Sequence, residues 1–329
     1  MRFVTIGFAH GHIDAAVQGF RKLPGLELVG IADVNSERLA DRQAKLGVPA
    51  FSDYREMLDT LKPDFAAVCP ANADKAAVIV ECAKRGVHVF ADKPLVTRMP
   101  QLTQVEQAVQ ASGIEAWAYL ELRYSPYGYT IKKRIEAGEI GEVVSVYATG
   151  PHKLNLPSRT PEMLDADRNG GCLVDLGCHD IDLARWFTRR EPIEVTAYLS
   201  KRRFLQLDNF WDTAQAFFRF EGDISVYIEP SWLQPDASRF WGDIRITVVG
   251  TLGTLEYRTC DSSLMLVTVE SGEQAIVAEP APVGILQDFV ATIRGRGSGI
   301  LSTAETIASM RAILVAHEAA VSGARLTLR

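Results

Sequence analysis

Residues 2–12 read Arg2-Phe3-Val4-Thr5-Ile6-Gly7-Phe8-Ala9-His10-Gly11-His12, an apolar run that breaks at a glycine and passes into a helical pattern. The run Phe3–Phe8 lacks regular polar alternation, so the strand it predicts is covered on both faces, as in a parallel sheet. Four similar runs follow at Leu26–Asp33, Asp64–Pro70, Val87–Ala91 and Ile114–Leu120. Helical stretches such as Ala77-Val78-Ile79-Val80-Glu81-Cys82-Ala83-Lys84 lie between them. This alternation predicts an α/β unit with a doubly wound parallel sheet over residues 1–122.

Beyond residue 122 the pattern changes. A helix is expected near Tyr127–Ala137, a strand at Val143–Thr149, a polar loop through Asn155–Pro161 and a helix from Gly171 to Thr188. Alternating strands then follow at roughly 193–203, 212–221, 224–233, 243–249 and 254–258 without helices between them, which predicts a large open, mostly antiparallel sheet. Residues 123–329 are therefore expected to form a second, α+β domain for substrate binding and oligomerisation. Its closing helices, Ile285–Arg294 and Thr303–Ser322, pack back on the body of the protein.

With 329 residues, 47% of them hydrophobic and 23% charged, the chain has the composition of an ordinary globular enzyme of two domains. A net charge of −6 without any Lys/Arg block argues against nucleic acid or an anionic membrane as partner and favours a small molecule. The first residues enter a strand with no secretory pattern, and no apolar run of about 18 residues is present, so a cytoplasmic protein is expected. The five cysteines form no Cys-x-x-Cys pair, which supports neither a disulfide framework nor a metal site.

The turn Gly7-Phe8-Ala9-His10-Gly11-His12 stands where a strand-to-helix loop offers backbone N–H groups to a pyrophosphate. Ala9 and His12 replace two glycines of G-x-G-x-x-G, and taken alone the loop fits an ordinary turn equally well. Asp33, ending the second strand about twenty residues later, is suited to accept both ribose hydroxyls and to repel a 2′-phosphate, which points to NAD over NADP. Arg38, one turn into the next helix, either reaches toward a 2′-phosphate or lies on a solvated face.

Asp92-Lys93-Pro94 ends the fourth strand at the carboxyl edge of the sheet, where open α/β folds bind ligands. The proline restricts Lys93 to an extended backbone and admits a cis bond. An ammonium there would stabilise developing alkoxide character on a substrate hydroxyl; a surface lysine is the alternative. In Gly170-Gly171-Cys172-Leu173-Val174-Asp175-Leu176-Gly177-Cys178-His179-Asp180-Ile181-Asp182, residues 175, 179 and 182 fall at i, i+4 and i+7 on one helix face. An imidazole flanked by carboxylates suits a general base, and equally the trio fits local stabilisation of a helix start. A metal is not expected, because a divalent site would need a third ligand that the sequence does not announce.

In order and spacing, Gly7…Gly11, Asp33, Asp92-Lys93-Pro94 and Gly170-Gly171…Asp175-x-Gly177-x-His179-x-x-Asp182 resemble the Gfo/Idh/MocA oxidoreductases. Arg123-Tyr124-Ser125-Pro126, Ile135-x-x-Gly138-x-Ile140-Gly141 and Ala320-Val321-Ser322-Gly323 extend the resemblance over nearly the whole chain. It implies a Rossmann domain binding NAD, with Gly7, Phe8, Ala9, His10, Gly11, His12, Asp33, Arg38, Pro70, Lys75, Asp92 and Lys93 near the cofactor. It implies that Lys93, Asp175 and His179 line a catalytic centre, His179 accepting the proton. Arg123, Tyr124, His152, Lys153 and Trp232 are candidates for the substrate wall, and Trp186 is a possible stacking platform. His10 and His12 in the loop, and Lys75 where a histidine is common, depart from the family pattern. The implied activity is NAD-dependent oxidation of a secondary hydroxyl on a sugar, inositol or related polyol by a homodimer or homotetramer. The rivals are an NAD-dependent glycosidase of the same fold and a non-catalytic NAD or sugar sensor.

Overall fold

A computed structural model describes residues 1–328, which form two compact units: Met1–Leu120 with Val283–Ile307, and Glu121–Pro282 with the residues from Ala308 onward. In the first unit the order is β1 (Arg2–Ile6), α1 (His12–Arg21), β2 (Glu27–Ala32), α2 (Ser36–Leu46), β3 (Ala50–Phe51), α3 (Tyr54–Leu61), β4 (Phe65–Val68), α4 (Lys75–Ala83), β5 (His88–Ala91), α5 (Met99–Ser112) and β6 (Ala116–Ala118). The strands lie parallel in the order β3-β2-β1-β4-β5-β6. The chain winds outward from β1 in both directions, so the loops after β1, β2, β4 and β5 gather at one edge of the sheet. All four residues of β4 are buried, in accord with a sheet covered on both faces.

Unit two contains α6 (Pro126–Glu136), β7 (Val143–Pro151), α7 (Ala166–Asn169), α8 (Gly171–Thr188), β8 (Pro192–Ser200), β9 (Thr213–Phe220), β10 (Ser225–Ser231), β11 (Arg245–Gly250), β12 (Gly253–Arg258), β13 (Ser263–Thr268) and β14 (Gln274–Ala275). Helix α9 (Ile285–Thr292) belongs to the first unit; α10 (Thr303–Ser322) and β15 (Leu326–Thr327) follow it. The second sheet runs β14-β13-β12-β11-β7-β10-β9-β8-β15 and is antiparallel except for the β7–β10 pair. Val146, Ala148, Val195, Ala216, Phe218, Val226 and Ile228 are buried, on the side where α8 packs against β7, β9 and β10. The alternate positions Tyr147, Tyr198 and Phe217 are exposed. Strand by strand this is the two-residue period of a sheet with one covered face.

The sequence alone suggests one contiguous second domain, 123–329, yet residues 283–307 group with the first unit. The reason is aromatic. Phe289 of α9 packs on Phe65, Phe90 and Trp117 at ring-centroid separations of 5.6, 5.3 and 5.5 Å. Phe20 of α1 joins them at 5.0 Å from Phe65 and 5.3 Å from Phe90. Phe289 is wholly buried. Replacing it by alanine leaves a cavity no neighbour can fill. Phe289→Ala is expected to lower unfolding free energy by about 3–5 kcal/mol in urea titrations; a loss below about 1 kcal/mol would contradict this packing.

Candidate active site

The first unit's site starts at Gly7. Its φ is +79°, and a Cβ there would stand 2.4 Å from the nitrogen of Pro70, so only glycine lets β1 turn against the end of β4. Ala9 N–H then donates to the Cys69 carbonyl at 2.8 Å and Phe8 N–H to the Asp33 carboxylate at 2.9 Å, which fixes the loop between β2 and β4. Gly11, at the start of α1, donates to no acceptor among the described residues, and nothing lies within 4 Å of a Cβ built on it. An unspent N–H at a helix start with open space over it fits a dinucleotide phosphate.

Asp33 is buried and accepts from the backbone of Phe8 and Asn35. It also takes both arms of Arg38, at 2.7 Å each. Arg38 is therefore held on Asp33 and is not a solvated residue of α2. Its backbone N–H is capped by Asn35, whose side chain starts that helix.

Lys75 is fully buried, and its ammonium donates to the carbonyls of Asp92 at 2.7 Å, Lys93 at 3.1 Å and Pro94 at 2.9 Å. It is a positioning residue: the amine that stands where a histidine was expected holds the Asp-Lys-Pro turn. The Lys93–Pro94 peptide is cis, and Lys93 itself is buried. Asp92 turns back to the loop, 3.0 Å from His12 Nδ1 and 3.8 Å from His10 Nδ1. Burial alone would raise the Asp92 carboxyl. The His12 hydrogen bond and the charges of Lys75, His12 and His10 outweigh it and hold the group far below the usual carboxylate range.

In the second unit Gly170, whose φ of +96° suits glycine, immediately precedes α8, and Asn169 accepts the N–H of Gly171. Among residues 171–185, Asp175 and His179 are part-exposed and the others buried. Asp182 leaves that pair: its carboxylate receives Arg123 at 2.8 and 2.7 Å and Ser309 at 2.7 Å, all inside the unit. Arg123 is 1% exposed, so the residue expected on a substrate wall is an internal tie. The carboxylate that does face the imidazole is Glu121, 3.9 Å from His179 Nδ1, which sequence spacing gave no means of finding.

Of the remaining candidates, Tyr124 is buried, His152 binds the Gly150 carbonyl through Nδ1 at 2.8 Å, and Lys153 donates to the Ser238 carbonyl. Trp232 packs with Leu154, Cys172, Leu176, Phe204 and Phe210. Arg159 lies over its ring at 4.9 Å. Burial lowers the Arg159 guanidinium and the charge of Asp175 opposes that, so a cation absent from the sequence expectation accompanies Asp175. Trp186 is half-buried with Arg123 at 5.6 Å and Lys132 at 5.8 Å from its ring, the setting of a structural tryptophan. A metal was not expected, yet His10, His12 and Asp92 bring ligand atoms within 4.8 Å of one another.

Next to His179, burial pushes the Asp180 carboxyl from an ordinary 3.8 up to about 7. The folded chain thus keeps a proton that the unfolded chain releases above about pH 4, and stability falls as pH rises from there to about 7. Asp180→Asn carries no charge to bury. Relative to wild type it should gain roughly 2–4 kcal/mol at about pH 8 compared with about pH 4.5, measured by urea denaturation. Parallel pH profiles for the two proteins would refute this.

Comparison with known proteins gives the same architecture. Residues 1–119 match the family model described as oxidoreductase family, NAD-binding Rossmann fold. Residues 129–256 match the GFO/IDH/MocA C-terminal domain. A myo-inositol 2-dehydrogenase of Thermotoga maritima is 27% identical over 281 residues, covering 83% of this chain and 80% of that protein. A solved putative oxidoreductase from Thermotoga maritima has a TM-score of 0.91 at 23% identity over 100% of both chains. An oxidoreductase from Agrobacterium radiobacter, solved with NAD+, L-tartaric acid and magnesium, has a TM-score of 0.85 at 16% identity over 99% of this chain and 98% of that one. These two likenesses speak to the fold. With its nucleotide loop, Asp-Lys-Pro turn and Gly-Gly helix in one order, and two family models matched in succession, the chain belongs to the Gfo/Idh/MocA family of oxidoreductases and carries its NAD-binding Rossmann fold.

Proposed function

We propose that this protein oxidises a secondary hydroxyl of a sugar, an inositol or a related polyol with NAD as the oxidant. The observation that carries the reading is the pair Asp175 and His179, part-exposed on a helix segment that is otherwise buried. His179 takes the hydroxyl proton, and Glu121, 3.9 Å from Nδ1, favours the imidazolium that results. Asp175, one helical turn earlier, accepts from a neighbouring hydroxyl. Lys93 donates to the reacting oxygen and stabilises its alkoxide character. NAD supplies the hydride acceptor; the loop Phe8–His12 and Asp33 hold its phosphates and ribose. The relative named myo-inositol 2-dehydrogenase supports a cyclic polyol as the first substrate to try.

The test is a panel of polyols and sugars with NAD, read by NADH absorbance. NADH should accumulate with at least one of them. His179→Asn is expected to lower kcat by about 10²–10⁴ while NAD binding persists. Sugar released from a glycoside without NADH accumulation would favour a glycosidase. Tight NAD binding without turnover of any polyol would favour a sensor, and a His179→Asn enzyme as fast as wild type would remove the base assignment.

We place the protein in the cytoplasm, where thiols stay reduced; its cysteines form no disulfide among the described residues, and no described helix is long and apolar enough to cross a membrane. The open sheet face bearing Tyr147, Tyr198 and Phe217 exposes large apolar groups. A second copy covering it, in a homodimer or homotetramer, removes that surface from water. Phe217→Asp should shift the sedimentation coefficient toward that of the monomer; an unchanged value would exclude this face.

A further inference from the structure

No third metal ligand is announced in sequence beside Asp175 and His179, while the fold assembles a different set of donors. His10 lies in the β1–α1 loop and His12 opens α1, and Asp92 follows the end of β5, 80 positions after His12. We infer that His10, His12 and Asp92 form a binding site for a divalent transition-metal ion of the zinc type.

The donor set is two imidazoles and a carboxylate, which such ions favour over the hard alkaline-earth cations. Spacing agrees with the chemistry. Metal–ligand distances of about 2.0–2.2 Å in a tetrahedron separate ligands by roughly 3.3–3.5 Å; His12 Nδ1 stands 3.0 Å from Asp92 Oδ1 and His10 Nδ1 3.8 Å from Asp92 Oδ2, and one ligand atom from each residue gives a set within 4.8 Å. The rings are already close, with centroids 3.9 Å apart at 65°, so a cation enters with small rotations of two part-exposed side chains and no backbone movement.

Outer contacts hold the ligands in place. Cys69 Sγ donates to Asp92 Oδ2 at 3.6 Å and Lys75 fixes the Asp92 carbonyl at 2.7 Å; the His12 N–H that donates to His10 Nδ1 at 3.2 Å is given up when that nitrogen turns to the cation. Groups of this kind orient ligating side chains and tune affinity. Three protein ligands leave one position of a tetrahedral ion to water or an anion. The inference stands on side-chain geometry alone and does not require the proposed polyol oxidation.

The full-length, untagged chain, stripped with EDTA, is dialysed against micromolar zinc and then against cobalt. One zinc per chain is expected, and cobalt should give the visible absorption of a tetrahedral site. His10→Ala and His12→Ala should each weaken zinc binding by about tenfold or more and abolish the cobalt bands, with melting temperatures in EDTA close to wild type. Cys69→Ser should retain one zinc. Absence of zinc from the wild-type chain, or retention of wild-type affinity in both histidine variants, would overturn the assignment. Should a histidine variant melt early, the cobalt spectrum of the wild-type chain decides: no tetrahedral band, no site.

Discussion

A single buried ammonium governs the chemical edge of the first unit. Lys75 of α4 has no exposed surface, and it draws the carbonyls of three consecutive residues, Asp92, Lys93 and Pro94, onto one point. An unpaired charge in that position would cost several kcal/mol; three carbonyls solvate it, and the nearby Asp92 carboxylate answers its charge. The direction in which Asp92 and Lys93 leave β5 is therefore decided by a residue of another element. Asp92, so directed, reaches His12 and His10, and the nucleotide loop inherits its side-chain order from α4.

Unit two uses the same device with the opposite sign. Asp182, buried within α8, is met by both arms of Arg123 and by Ser309, and Ser309 in turn accepts from Arg185 at 2.7 Å. Taking either partner away strands a charge in a closed interior, which commonly costs about 3–5 kcal/mol. The network fixes the rotation of α8 about its own axis. That rotation keeps Asp175 and His179 part-exposed while Asp182, seven residues after the first, points inward.

Periodic features were legible in the sequence. Helix α8 runs over Gly171–Thr188 and α10 over Thr303–Ser322 as expected, because a long 3.6-residue pattern, with glycine before α8 and after α10, leaves little choice. The strands of two residues, Ala50–Phe51, Gln274–Ala275 and Leu326–Thr327, were not legible: at that length no alternation exists, and pairing with a neighbour defines them. Strand β13 (Ser263–Thr268) lies beyond the last expected strand, 254–258, and pairs along its whole length with β12. At the site, sequence proximity found His179 with Asp175 but assigned Asp182 to the same task. Helical spacing gives direction, and only packing tells whether that direction leads to solvent or to an arginine. Glu121, Arg159 and the joining of Asp92 to His10 and His12 come from tertiary contacts that no local pattern encodes.

The Asp33–Arg38 pair changes the physical basis of cofactor choice. Read from sequence, Asp33 selects NAD by repelling a 2′-phosphate, an argument that treats the carboxylate as an isolated charge. In the fold both its oxygens are bridged by Arg38 at 2.7 Å, and the charge seen by an approaching phosphate is that of a neutral pair. Repulsion is then weak, and ribose hydroxyls at Asp33 would have to displace guanidinium N–H groups from a carboxylate already aligned by the backbone of Phe8 and Asn35. With Asp33 as the proposed ribose acceptor, a preference for NAD would rest on hydrogen-bond exchange there. Arg38, anchored at its backbone by Asn35, is the group whose swing sets what that exchange costs.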